Sequence, residues 1–286
     1  ISGKRIKGSI KLSTSGTSGK RLFVYTSPDQ WAIEQAAIWR HWNIAGYKLR
    51  DKIAIIRSYS PRKDEKYYKF NKLKNWLYIS PYHLDENYLY DIFDLLKKWK
   101  PKFLRGYPSS IYLLARYALK HKIQINSLKG ILTASEKLTS DYRETIESAF
   151  KVKIFDHYGQ AEITAMFHEW DDHKGFNNLD YYGHVELVKT DNENIYKLIA
   201  TNLHNYVMPL IRYDTGDLVK IDLINKNQSK CNFLKVSEII GRTHDYLINA
   251  DGGLMPSINF YTYFSNIKEI IRFQFIIKGD NVELKL

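Results

Sequence analysis

Residues 13–20 read STSGTSGK, a run of hydroxyl side chains and glycines that ends on a lysine. Glycines let backbone N–H groups approach an anion, and Ser and Thr add donors without bulk. The chemistry on offer is a phosphate cradle. The other reading of the same residues is a polar hairpin loop with Gly16 and Gly19 in its turns. It is not a Walker A loop. Thr14 stands where that pattern needs its first glycine, and Lys20 is followed by Arg21 rather than Ser or Thr.

Three later stretches group residues of similar promise: DHYGQAE (156–162), RYDTGD (212–217) and GRTHDYL (241–247). Taken singly, Tyr158 reads as a strand-end aromatic, Glu162 as a loop acid and Gly216–Asp217 as a turn between strands. FHEWDDHKG (167–175) adds His168 and His173, too few ligands for a structural zinc site. GYPSS (106–110) lacks the second glycine of a nucleophile elbow, so no Ser–His pair is indicated.

The elements that must position these residues can be read from pattern. Ser27, Pro28 and Gln30 make a helix start, Trp31, Gln35, Ile38 and Trp42 trace one stripe, and Gly46 marks a stop. KIAII (52–56) reads as a buried strand. A helix over 85–100 carries Leu89, Ile92, Phe93 and Leu96 on one side and ends at Pro101. KFLRGY, GILTAS and VKIFDHYG read as strands that alternate with helices PSSIYLLARYALKHK and SDYRETIESAF. This alternation predicts a parallel α/β sheet, whose ligands sit beyond the carboxyl ends of the strands. TAS and DHYGQAE fall at such ends. After about residue 163 the segments GHVELV, IYKLIATNL, PLIRYDTG, DLVKIDL and NFLKVSEII predict an antiparallel or barrel-like subdomain. A turn-rich hairpin is expected over GRTHDYLINADGGLMPS.

Composition narrows the class. The chain has 286 residues, 44% of them apolar and 26% charged, which argues against disorder. Its net charge of +12 invites a nucleic-acid reading, but the lysines are dispersed and no nucleic-acid motif is present. A basic surface also suits an anionic ligand such as a nucleotide. The single cysteine, Cys231, excludes an internal disulfide, and a reducing, cytoplasmic setting is expected. No apolar run reaches the length of a membrane span.

In their order and spacing, the four stretches resemble those of the adenylate-forming superfamily of acyl-CoA synthetases, adenylation domains and luciferases. RGYPSSIYLLARYA and ILTASEKL are similar to the phenylacetate–CoA ligase branch, above all its relatives in capsule-polysaccharide gene sets. The resemblance covers most of residues 10–260. It implies the large α/β core of such an enzyme, followed by an antiparallel or barrel-like subdomain. The expected division is a nucleotide-binding core over 1–163, a β-rich subdomain over 164–240, and the hinge with the start of the lid over 241–286. Most of the C-terminal lid, whose lysine contacts the reacting groups in the family, is expected to be missing.

The implied activity is activation of a small carboxylic acid by ATP with Mg²⁺, then acyl transfer to a thiol such as coenzyme A, or to an amine or hydroxyl acceptor of polysaccharide assembly. By resemblance, Thr14, Ser15, Gly16, Thr17, Ser18 and Gly19 wrap the ATP phosphates and Lys20 adds charge. Here the loop ends GKRL, without the family's proline. Ser135 joins the nucleotide contacts. Tyr158 and Gly159 meet the adenine, Asp156 accepts from its amino group, Asp217 grips the ribose hydroxyls and Arg242 lies near ribose and phosphate. Glu162 holds the magnesium, and Thr17 and Glu162 act at the reacting phosphates. Glu136 and Tyr107, with Arg105 and Pro108, line the acid pocket. The hinge falls on His244, beside Asp245. A non-catalytic nucleotide-binding module stays open as an alternative, and a nucleic-acid binder as a more distant one. No nucleic-acid partner is expected.

Overall fold

A computed structural model describes residues 8–13, 22–221, 234–242, 246–248, 254–256, 274–278 and 281–285. The segment STSGTSGK therefore lies outside the described residues from Thr14 onward, as do His244 and Asp245. Of Arg242 only the backbone is described.

The chain opens with β1 (Ile10–Ser13) and β2 (Phe23–Thr26), which pair antiparallel. Helix α1 (Pro28–Ile44) follows, then β3 (Ile53–Ile56), β4 (Tyr68–Asn71), β5 (Trp76–Ile79) and α2 (Glu86–Trp99). Next come β6 (Phe103–Gly106), α3 (Pro108–Lys120), β7 (Gly130–Ala134), α4 (Ser140–Phe150), β8 (Ile154–Gly159), β9 (Met166–Glu169) and β10 (Phe176–Asn178). A second sheet begins with β11 (Gly183–Lys189), β12 (Ile195–Asn202) and β13 (Tyr213–Lys220). β14 (Lys235–Val236) returns to the first sheet and β15 (Glu238–Arg242) joins the second. Two hairpins, β16 (Tyr246–Ile248) with β17 (Leu254–Pro256) and β18 (Gln274–Lys278) with β19 (Asn281–Lys285), complete the described chain.

The helix boundaries follow from capping chemistry. Ser27 accepts from the Gln30 N–H, Asp85 from that of Asn87 and Thr139 from that of Tyr142, each satisfying a free donor of a first turn. The capping box at α1 is incomplete, because the buried Gln30 amide has no side-chain partner. α2 and α4 end on left-handed Lys100 and Lys151.

The nine-stranded sheet runs β14-β10-β9-β8-β7-β6-β3-β5-β4. Its centre is parallel, and β4, β9, β10 and β14 add antiparallel flanks. Alternating side chains divide the sheet between two cores. Ala54, Ile56, Leu104, Ile131 and Ile154 face α2, α3 and α4, whereas Ile53, Ile55, Phe103, Leu132 and Phe155 face α1. All four of the apolar residues expected on α2 are buried, each contributing about 1.5–3 kcal/mol of transfer free energy. The α1 stripe is split. Ile38 and Trp42 are buried, while Trp31 is exposed at the rim of a cleft.

The antiparallel sheet β11-β12-β13-β15 packs on β9 through Phe167, Leu198, Ala200 and Val219. The change of sheet comes at Gly183, later than residue 163, because β9 and β10 extend the first sheet. Gly183 passes so close to the Thr164 carbonyl that a Cβ would lie 1.9 Å from its oxygen. Two expected strands, over PLIRYDTG and DLVKIDL, are one: β13 starts at Tyr213 and runs through the Gly216 bulge.

Candidate active site

A cleft of about 1450 Å³ lies at the carboxyl ends of β3, β6, β7 and β8 and reaches across to β13 and β15. Of the described side chains that the sequence singled out for nucleotide, metal or acid, all but Pro108 line it: Arg105, Tyr107, Ser135, Glu136, Asp156, Tyr158, Glu162 and Asp217, with Gly159 between. These residues come from the ends of three strands of the first sheet and from the middle of β13 in the second. Pro108 starts α3 behind Tyr107 and is buried. The phosphate-loop residues Thr14, Ser15, Gly16, Thr17, Ser18, Gly19 and Lys20 are not among the described residues. Neither is the side chain of Arg242, whose backbone pairs with Asp217.

Two tyrosine–carboxylate bridges join the sheets across this cleft. The Tyr158 hydroxyl donates to Asp217 Oδ2 at 2.5 Å, and the Tyr213 hydroxyl donates to Glu162 Oε1 at 3.0 Å. Gln160 Nε2 donates to the Tyr158 oxygen at 2.9 Å, and the Thr164 hydroxyl fixes the Gln160 amide. Burial and the facing Asp217 carboxylate hold the Tyr158 phenol well above its ordinary pKa, so it stays a donor.

Local backbone chemistry aims both acids. Gly216 adopts φ 72° at a register shift in β13, and Asp217 N–H donates to Thr215 Oγ1 at 3.1 Å. A bulge of this kind re-aims the next side chain, here into the cleft. After β8, the buried Ile163 takes φ 56°, a strained place for a β-branched residue. It follows Glu162, which is buried rather than a solvated loop acid.

Asp156 sits deeper. Its Oδ1 accepts from the Thr133 hydroxyl at 2.7 Å, and its backbone N–H donates to Glu169 Oε2. Burial, and then the Glu169 carboxylate, push its pKa up to about 7. Glu169 is held by Arg143 Nη2 at 2.7 Å. Ser135 has a left-handed backbone, φ 74°, and accepts from Arg57 Nη2 at 3.2 Å. Glu136 accepts from the Ser109 N–H at the start of α3, where a carboxylate also meets the positive helix end. Tyr107 lies under the Arg57 guanidinium, 5.1 Å from its ring centre.

The histidines divide. His168 stacks on His41 with ring centres 4.5 Å apart, and His157 closes a buried trio at 5.5 and 6.1 Å. Burial pulls His41 down to about 4 and holds His157 and His168 well below their ordinary value. His173 lies 3.6 Å from Glu169 Oε2 instead. Among the described residues, no three His, Cys, Asp or Glu side chains are grouped to hold a metal by themselves. Sequence reasoning missed Glu34, Arg57 and Tyr213, single residues with no local motif of their own. For Tyr213 one signal existed: Tyr158/Glu162 and Tyr213/Asp217 share a four-residue spacing.

Comparison with known proteins bears on the fold. No family model matches the chain. The protein CapK of Staphylococcus aureus is 29% identical over 277 residues, covering 93% of this chain and 60% of CapK. The chain thus spans less than two thirds of the curated relative it matches. A 2-hydroxyisobutyryl-CoA ligase, solved in the postadenylation state with 2-HIB-AMP, aligns with a TM-score of 0.68 at 16% identity, over 96% of this chain and 61% of that one. An anthranilate CoA ligase, AuaEII, solved with anthranoyl-AMP, aligns with a TM-score of 0.63 at 14% identity, over 96% and 55%. ATP-bound MatB from Rhodopseudomonas palustris gives 0.57 at 14% identity, over 93% and 54%. The fold is that of the large N-terminal domain of adenylate-forming enzymes.

Proposed function

We propose that the cleft binds Mg·ATP beside a small carboxylic acid and forms an acyl-adenylate. A carboxylate oxygen attacks the α-phosphorus, the bond from that phosphorus to the bridging oxygen breaks, and pyrophosphate leaves. The carboxylate is already a nucleophile, so the protein's part is positioning and charge stabilisation. A thiol, coenzyme A among the candidates, or an amine or hydroxyl acceptor of polysaccharide assembly then attacks the acyl carbon, the bond from that carbon to the phosphate oxygen breaks, and AMP leaves.

One observation carries this reading. Residues far apart in the sequence, singled out for one ligand, converge on a single cleft. Tyr158 offers its ring to the adenine and Asp217 its carboxylate to the ribose diol. Glu162 is an oxygen donor buried at the cleft wall, which fits Mg²⁺ shared with phosphate oxygens. Thr17 and Lys20, with their neighbours in the phosphate loop, would complete the cradle, and His244 with Asp245 the hinge. A cytoplasmic setting suits the single cysteine, and no described helix is long and apolar enough to cross a membrane.

The test is calorimetric titration of Mg·ATP, followed by acid-dependent pyrophosphate exchange. Binding that weakens roughly tenfold or more in Asp217→Ala supports the reading. A chain that binds no ATP sinks it. A second reading, a nucleotide-binding module without chemistry, is favoured by the tyrosine bridges, which occupy both acids. It predicts ATP binding without exchange for any acid. Nucleic acid is not among the proposed partners, and a gel shift at low salt tests that directly.

A further inference from the structure

The same cleft continues onto the face of the sheet covered by α1, where nucleotide binding leaves several polar groups unused. Trp31, Glu34, Gln35 and Ile38, spaced to share one face of the helix, line it from one side. Arg105 enters from β6, two residues after Phe103 and so on the same face of the sheet. Its guanidinium lies 4.7 Å over the Trp42 ring. Among the described residues it has no hydrogen-bond acceptor and no ion pair. Among the described residues, Arg57, from the end of β3, donates to a neutral oxygen, Ser135 Oγ, and pairs with no carboxylate.

Two cations therefore face one cavity with no carboxylate bonded to either. Burial and the Arg57 charge pull Arg105 down to about 9, which leaves it a cation at neutral pH. Glu34 faces Arg105, but burial raises its pKa and the Tyr182 hydroxyl already donates to it. Arg105 is half-buried at the wall of the open cleft, and its planar fork matches a carboxylate with two parallel bonds. β6 stands two strands from β8, a lateral distance of about 10 Å, which leaves room for an acyl chain or ring.

We infer that this subsite selects an acid carrying a second carboxylate at the end remote from the reacting one, with Arg105 and Arg57 as the residues that recognise it. The inference rests on the proposed reading of the cleft as an acid-activating site. A monocarboxylic acid would leave both guanidinium groups without an anionic partner, whereas a dicarboxylic acid supplies one.

The experiment is calorimetric titration of matched pairs into the whole chain: glutarate against pentanoate, and phthalate against benzoate. Mg·ATP is titrated in parallel. The expected result is a dicarboxylate preference of about tenfold or more in at least one pair. That ratio falls to near one in Arg105→Met and declines in Arg57→Gln. Because the ratio is taken within each variant, partial loss of folded protein does not imitate it. Equal affinities in both pairs, or a ratio that neither substitution lowers, overturns the inference. ATP binding without discrimination overturns the inference alone. Arg105-dependent discrimination without ATP binding upholds the anion subsite and overturns acid activation.

Discussion

Tyr158 on β8 donates a hydrogen bond from its hydroxyl to Asp217 on β13 across the seam between the two sheets, at 2.5 Å. The carboxylate proposed for the ribose is thus already hydrogen-bonded within the protein. Ribose hydroxyls would compete with the Tyr158 hydroxyl for that oxygen. Tyr158→Phe keeps the ring and removes the competing hydroxyl. Its affinity for Mg·ATP is expected to rise by about two- to tenfold, the worth of one ordinary hydrogen bond. Weaker binding by calorimetry would show instead that the hydroxyl itself serves the nucleotide.

Acid should unfold this protein early. His41, His157 and His168 are buried and neutral, with folded-state pKa values below the ordinary 6.5. The unfolded chain therefore binds protons first as pH falls, so the stability these groups allow is present above about 6.5 and lost below it. Asp156, raised to about 7, and Glu34, also raised by burial, act with the opposite sign, but they are two groups against three. His168→Leu removes a ring whose two nitrogens have no hydrogen-bond partner. The variant should gain on the wild type by about 1.4 kcal/mol per pH unit on descending from pH 6.5. Urea unfolding at pH 7.5 and pH 5 reads this, and an equal gap at both values would refute it.

Glu169 is a second point of leverage. It pairs with Arg143, accepts the Asp156 N–H and lends its carbonyl to His41. Its side chain is 4% exposed and that of Arg143 is 28% exposed, so salt should screen the pair little. Glu169→Gln is expected to cost about 1–3 kcal/mol in chemical denaturation, with little difference between low and high salt. A loss that vanishes at high salt would mark the pair as a surface contact.

The close approach at Gly183 sets a steric test. Gly183→Ala would drive a methyl group into the Thr164 carbonyl at the start of the second sheet. Overpacking of this kind costs about 1–3 kcal/mol or more. A substitution without effect on the denaturation midpoint would mean that β11 can shift freely.

The parallel core was legible because its strands are short apolar runs and its helices carry their own caps. Ser27 and the Leu89–Leu96 face announce themselves within a few residues, whereas the caps Asp85 and Thr139 emerge only in the structure. The β4–β5 hairpin was not, because YKFNKLKNWLYI mixes lysines among its apolar residues and reads as a solvated run. That composition suits β4, an edge strand with Lys69 and Phe70 exposed. β9 and β10 hid behind acids and histidines whose partners lie elsewhere in the chain. At the site, motif residues were legible as types, but their bonding was not. Nothing near Asp217 in the sequence indicates that Tyr158 holds it, and Arg105 gives no local sign that its charge goes unanswered.

The crossed tyrosine bridges have an evolutionary consequence. Glu162 and Asp217 fasten one sheet to the other, besides facing the cleft. Drift that abolished the chemistry would still meet a folding constraint at these two positions. Descendants that have lost activity should therefore keep both acids and both tyrosines, and their decay should appear first at cleft residues that tie no two sheets together, such as Arg105.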